Sequence, residues 1–142
     1  MACIRTEIGV EASAETVWAA VRDIGALHHR LVPGFVVDTR LEPGARIVTF
    51  GNGMVVRELI VDLDDAARRL AWSARGERLS HHNASVQVFA DGPGRSRLLW
   101  VADLLPDELA GDIRAMMEQA AAVMKPTLEG RPREAHACPT PS

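Results

Sequence analysis

Between Phe35 and Leu104 the sequence passes through six stretches whose apolar residues recur at every second position, and only short turns separate them. That arrangement limits the fold more than any other feature of the chain. Strands joined by tight turns pair antiparallel, because a parallel pair needs a crossover of roughly a dozen residues or more. The stretches are Phe35 to Leu41, Ala45 to Phe50, Met54 to Leu63, Arg69 to Arg75, His81 to Phe89 and Ser96 to Leu104. Glu42-Pro43-Gly44, Asp64-Asp65, Gly76-Glu77 and Asp91-Gly92-Pro93-Gly94 punctuate them. Gly51-Asn52-Gly53 contains an Asn-Gly pair, which predicts a tight hairpin turn with positive φ at both central residues.

A further strand is expected at the N-terminus, where residues 3–11 alternate apolar and polar side chains. Ser13 then stands in an N-cap position, with Glu15 in the first turn and Val17, Trp18, Val21 and Ile24 at helical spacing. Gly25 should break that helix, and a second short one carries Leu27-His28-His29-Arg30-Leu31 up to Pro33-Gly34. At the other end, a long helix is expected from Asp107 to about Gly130. Leu109, Ile113, Met116, Met117, Ala120, Met124 and Leu128 fall on one of its faces, with Arg114, Glu118 and Lys125 on another. Pro126 should kink or interrupt it near the end.

These elements define an α+β domain: a seven-stranded curved antiparallel sheet wrapped around one long C-terminal helix, with two short helices between strands 1 and 2. The apolar face of the sheet needs a cover, and the helix supplies a stripe of the right length. So wide a sheet curls, and a single helix cannot fill its concavity. The leftover volume is the expected ligand pocket. Residues 1–130 form this single domain, and residues 131–142, rich in Pro, Arg and Thr without periodicity, are expected to form a flexible tail.

Composition narrows the function. With 142 residues and 47% hydrophobic side chains, the chain can bury a core without metal or disulfide staples. A net charge of −3 with no basic cluster predicts no nucleic-acid partner. No apolar run reaches the roughly 20 residues that span a bilayer, so no stable membrane insertion is expected. The N-terminus lacks an export pattern, which points to the cytoplasm and to reduced thiols at Cys3 and Cys138. There is no tyrosine, and Lys125 is the only lysine on which Schiff-base chemistry could rest. No nucleophile elbow and no phosphate-cradling glycine loop occurs. His28-His29 and His81-His82 invite a metal reading, but adjacent strand residues point to opposite faces and no other ligand completes a set. Neither metal nor cofactor is expected.

The order strand, two short helices, six strands, long helix resembles the START-like helix-grip superfamily, also called SRPBCC. Local features carry the likeness over residues 3 to 129: Ala12-Ser13-Ala14-Glu15-Thr16-Val17-Trp18 after the first strand, then Asp23-Ile24-Gly25-Ala26-Leu27 leading to Pro33-Gly34. Val56-Arg57-Glu58-Leu59 followed by Leu63-Asp64-Asp65, and Trp100 leading to Pro106, are similar to the later family strands. The resemblance implies a cavity for hydrophobic molecules such as sterols, lipids, polyketides or plant hormones. By position, Glu58 resembles the cavity glutamate of the abscisic-acid receptors, while His82 and Ala84 stand where those receptors place a tyrosine and a serine. Their gate loop is replaced here by Phe50-Gly51-Asn52-Gly53, and no lysine lies between Asp23 and Phe35. A hormone-receptor role is disfavoured, and a cyclase-like bacterial protein is the closer likeness.

Glu58 and His82 are the candidates for chemistry. Alternation leaves open whether Glu58 or its neighbour Arg57 points inward; an inward Glu58 would be a polar anchor or general base, an outward one a surface carboxylate. His82 shares its face with Ala84, Val86 and Val88 and should point inward, either to meet a ligand or as a hydrogen-bonded core histidine. The expected ligand-binding set is Glu58, His82, Ala84, Trp100, Ile113, Met117, Ala120 and Met124. Arg46 and Arg78 could reach an acidic ligand group at the rim, or remain solvated on the surface. The function expected is binding of a small hydrophobic ligand, lipid, sterol or polyketide-like. The alternative is a polyketide cyclase/dehydratase-type enzyme using Glu58 or His82 for proton transfer. A homodimer through apolar residues of the convex sheet face, such as Val55, Leu59 and Val61, stays open.

Overall fold

A computed structural model gives the structure of the chain and describes residues 1–76 and 78–130. The segment 131–142, expected to be a tail, lies outside the described residues. The chain runs β1 (Ala2–Val10), α1 (Ala14–Arg22), α2 (Leu27–Arg30), β2 (Val36–Glu42), β3 (Ala45–Phe50), β4 (Val55–Asp64), β5 (Arg69–Arg75), β6 (His81–Ala90), β7 (Ser96–Leu105), a 3-10 turn (Asp107–Leu109) and α3 (Ala110–Leu128). The strands form one antiparallel sheet in the order β1-β7-β6-β5-β4-β3-β2. Only β1 breaks sequence order, pairing with β7 at the sheet edge. This is the α+β helix-grip architecture.

Caps and periodicity explain the element ends. The Ser13 hydroxyl accepts a hydrogen bond from the Thr16 amide at 3.1 Å, which starts α1. Long-helix residues Met117, Ala120, Met124 and Leu128 are buried, one face of a 3.6-residue period. The first turn differs from expectation, because Asp107 and Glu108 sit in the tighter 3-10 turn that leads into the helix. Pro126 does not end α3, which continues to Leu128. Pro126 has no N–H to give the Ala122 carbonyl, yet the helical bonding resumes beyond it, with Glu129 N–H on the Lys125 carbonyl at 3.1 Å. Lys125 fastens that end of α3 to the sheet, donating to the Gly9 carbonyl at 2.6 Å and to Glu129 at 2.8 Å. Glu129 also accepts from the Glu11 amide at 2.8 Å. No described helix is long and apolar enough to cross a membrane.

The β3–β4 connection corrects the two-residue turn expected from Asn52-Gly53. Phe50 N–H bonds the Met54 carbonyl at 2.8 Å, which closes a loop over residues 51–53. Within it only Gly53 has a positive φ, of 92°. This is the three-residue hairpin with its glycine in the left-handed position. Asn52 instead caps the loop, its Oδ1 accepting from the Met54 amide at 3.0 Å.

The tip of this hairpin lies against the chain leading into β2. Gly51 N–H bonds the Phe35 carbonyl at 2.9 Å, and a Cβ on Gly51 would stand 2.5 Å from the Gly34 carbonyl oxygen. Phe35 and Phe50 meet edge to face there, with ring centroids 5.6 Å apart. On the convex face Val55, Leu59 and Val61 are exposed, as alternation requires if Glu58 points inward. Replacing Gly51 by Ala should force the hairpin away from Gly34 and lower stability by about 1–3 kcal/mol in urea denaturation. A Gly51→Ala chain as stable as the parent would show that the two loops do not abut.

Candidate functional site

One row of side chains crosses the concave face perpendicular to the strands. Pairing sets Arg46 of β3 opposite Glu58 of β4, and Glu58 opposite Ala74 of β5. Extending the β5–β6 register one residue from Ser73–Asn83 sets Ala74 beside His82. The row therefore reads Arg46, Glu58, Ala74, His82, and every member points toward α3. Glu58 is 7% exposed, which resolves the Arg57/Glu58 ambiguity: Glu58 faces in, and Arg57 faces out to pair with Glu42 at 3.0 Å.

Arg46 departs from the rim or surface position expected for it. It is 3% exposed, and its Nε donates to Glu58 Oε1 at 2.8 Å. Its guanidinium also lies 5.4 Å from the Trp72 ring centroid, and a longer contact of 3.5 Å reaches the Ile24 carbonyl. The signal was present in the sequence. Arg46 has the same alternation parity as Val48 and Phe50, and a short β3–β4 hairpin places it opposite Glu58. A buried carboxylate demands a cation, and this arginine was the one within reach. Arg78, the other rim candidate, is exposed and pairs with Asp112 at 3.2 Å.

Above this row lies a cavity of about 120 Å³. Every strand except β1 contributes to it, together with α1, α2, α3 and the segment entering β2. Of the residues expected to bind ligand, Glu58, His82, Trp100, Ile113, Met117, Ala120 and Met124 all line it. Ala84 does not. It is buried, but its cross-strand neighbour is Trp72, which lines the cavity where the short alanine methyl does not reach. Met116 lines the wall as well, so all three methionines of the α3 face do. Their unbranched, polarizable chains can adjust to the shape of a guest. Sequence reasoning missed Leu27, Leu31, Val32, Phe35 and Phe50, which close the side facing the β3–β4 hairpin. Leu27, Leu31, Val32 and Phe35 sit in a short helix and irregular chain, where periodicity carries no signal, whereas Phe50 ends β3 with the parity of Val48.

The two histidine pairs separate. His28 Nδ1 lies 3.0 Å from the Thr39 hydroxyl, and neither His28 nor His29 lines the cavity. Among the described residues no cluster of three metal-type ligands occurs. His82 does reach the wall, yet its Nδ1 is covered and has no hydrogen-bond partner. Burial pushes its imidazole below the ordinary value, and the charge of Glu58 opposes part of that shift. The indole N–H of Trp100, also on the wall, is likewise covered and unpartnered. The site thus combines an ion pair of zero net charge, a neutral imidazole and a largely apolar wall.

Two measurements test these electrostatics. Arg46→Met alone leaves a buried carboxylate without its cation and should cost about 3–5 kcal/mol, whereas Arg46→Met with Glu58→Met should regain most of that loss. Equal stabilities for the single and double variants would contradict a buried pair. His82 is held neutral in the folded chain, so the unfolded chain binds the extra proton first as pH falls. Its contribution is steady above the ordinary value of 6.5 and is lost as pH drops toward the lowered folded value. Between neutral and mildly acidic pH, wild type should therefore lose more stability than His82→Gln. Parallel pH–stability curves for the two would contradict that assignment.

Comparison with known proteins follows the geometry. No curated protein matches the sequence significantly. Among solved structures, XoxI from Bacillus cereus superposes with a TM-score of 0.78 at 17% identity, covering 92% of this chain and 94% of that one. The Zhui aromatase/cyclase from a Streptomyces species gives 0.70 at 18% identity, covering 91% and 92%. A START superfamily protein from Mycobacterium smegmatis gives 0.64 at 16% identity, covering 83% and 92%. At these identities the structures establish a shared fold. The family profile described as polyketide cyclase / dehydrase and lipid transport matches residues 1–131. With nearly the whole chain inside that match and a START-like fold around the cavity, the protein belongs to the polyketide cyclase / dehydrase and lipid transport family.

Proposed function

We propose that the protein binds a small hydrophobic molecule, of the lipid, sterol or polyketide-like kind, in the cavity between the sheet and α3. One observation carries the reading: the lining is apolar except for a few polar side chains gathered on one wall. Core residues elsewhere, such as Leu98 and Leu104, pack to complete burial, so the open volume is local to this site. Ligand sites generally combine apolar walls with a small number of placed polar groups. Glu58 and His82 are those groups here, and Trp100, Ile113, Met117, Ala120 and Met124 supply apolar contact. Each 100 Å² of ligand apolar surface taken from water contributes about 2.5 kcal/mol.

A second reading is enzymatic. Glu58 and a neutral His82 share one row of the wall, and the fold is that of the Zhui aromatase/cyclase. A guest carrying a carbonyl above Ala74 would have a carboxylate on one side and an imidazole on the other. Either group could move a proton beside that carbonyl.

Native mass spectrometry of the gently purified protein should reveal a retained apolar molecule. A panel of fatty acids, sterols and aromatic polyketides should include members that raise the melting temperature. A ligand at a hundredfold excess over its Kd stabilises the fold by about 2.7 kcal/mol. If nothing is retained and no member of the panel shifts melting, the binding proposal fails. Turnover of a polyketide substrate that collapses in His82→Ala, with melting unchanged, would select the enzymatic reading.

A further inference from the structure

The cavity's charge balance and its one uncommitted carboxylate oxygen restrict what it can hold. Glu58 Oε1 is taken by Arg46, and among the described residues no hydrogen bond to Oε2 accompanies it. The side chain is 10% exposed, and it lines the cavity. An ionised carboxyl oxygen in such a place is an acceptor only. It calls for a donor, and a guest can supply one.

Charge narrows the class further. The groups facing the cavity from each packed element are Arg46 from β3, Glu58 from β4 and His82 from β6; α1, α2 and α3 contribute only apolar side chains. Arg46 and Glu58 cancel, and burial holds His82 neutral. A charged guest would lose its hydration with no spare counter-charge to meet it. A neutral hydroxyl loses far less and gains a charge-assisted hydrogen bond.

Size sets the last limit. An apolar protein cavity of roughly 150 Å³ accommodates benzene. The cavity here, at about 120 Å³, is of that order, and the three methionines give it some room to expand.

We infer that the preferred guest is a neutral, compact molecule of one or two rings whose hydroxyl donates to Glu58 Oε2 while its ring lies against Trp72, Trp100 and the α3 methionines. This rests on the cavity being a ligand site, and it narrows that reading from lipids and sterols to phenol-like molecules.

Isothermal titration with five matched probes tests it on the unmodified protein: p-cresol, 4-methylanisole, p-xylene, p-toluate and 4-methylbenzylammonium. p-Cresol should bind roughly tenfold or more tighter than 4-methylanisole, which keeps the ring and oxygen but has no donor. The two ions should not bind measurably. Arg46→Met with Glu58→Met, which removes the buried pair together, should still bind p-xylene but lose the preference for p-cresol over 4-methylanisole. If p-xylene and 4-methylanisole match p-cresol, or if either ion binds best, the inference is overturned while the cavity remains a ligand site. If no ring probe binds but fatty acids or sterols do, the size argument is wrong and the inference falls. If no probe, fatty acid or sterol binds, the ligand-site reading itself fails.

Discussion

A sheet of seven strands offers more concave surface than one helix can cover, and the rest of the molecule follows from that mismatch. Neighbouring strands lie about 4.8 Å apart, so the sheet is several times wider than the roughly 10 Å diameter of a helix. α3, with 19 residues, is about 28 Å long and suits the strands in length, not the sheet in width. It packs chiefly on β1, α1 meets β6, and α2 meets β2. Curling brings the two ends of the sheet toward each other. The middle of the concave face is then left beneath a roof that touches it only at the margins, and the cavity lies there.

The interior of that hollow is where the chain tolerates a charge pair. Burying two ions is costly, and a well-packed apolar pair of similar volume would often be as stable or more so. Arg46 and Glu58 are therefore weakly justified as stabilisers. Their arrangement makes more sense as the orientation of a carboxylate. The Nε–Oε1 bond and the Trp72 ring fix the guanidinium, and the guanidinium fixes the carboxyl plane. Ala74, next in the row, adds only a methyl between Glu58 and His82.

Most of the fold was legible in the sequence because it rests on period and punctuation. The six later strands and the Ser13 cap fall within a residue or so of expectation, since turn residues interrupt the alternation sharply. The inward face of β6 with His82 and the α3 wall residues were legible for the same reason, whereas the choice between Glu58 and Arg57 was settled only by burial. What could not be read lies where geometry is not local. Arg46 was misplaced because its parity with Val48 places it inward only once the pairing of β3 with β4 sets it opposite Glu58. The Asn52-Gly53 loop gained a residue because the bond between Gly51 and Phe35 holds the hairpin tip against a distant segment. The residues from Leu27 to Phe35 that close the cavity follow no period at all.

Whether the hollow only holds a molecule or also changes it depends on what occupies the gap over Ala74. Arg46 holds the Glu58 carboxyl group in place through the Nε–Oε1 bond. Burial lowers the affinity of the His82 imidazole for a proton and so keeps it neutral. The pair is thus asymmetric: Glu58 is tied to an arginine, and His82 is an imidazole that burial keeps neutral. A guest with a single hydroxyl would use Glu58 alone and leave unchanged. Proton transfer would need a second function on the same molecule, an acidic carbon beside a carbonyl, brought within hydrogen-bond reach of the imidazole.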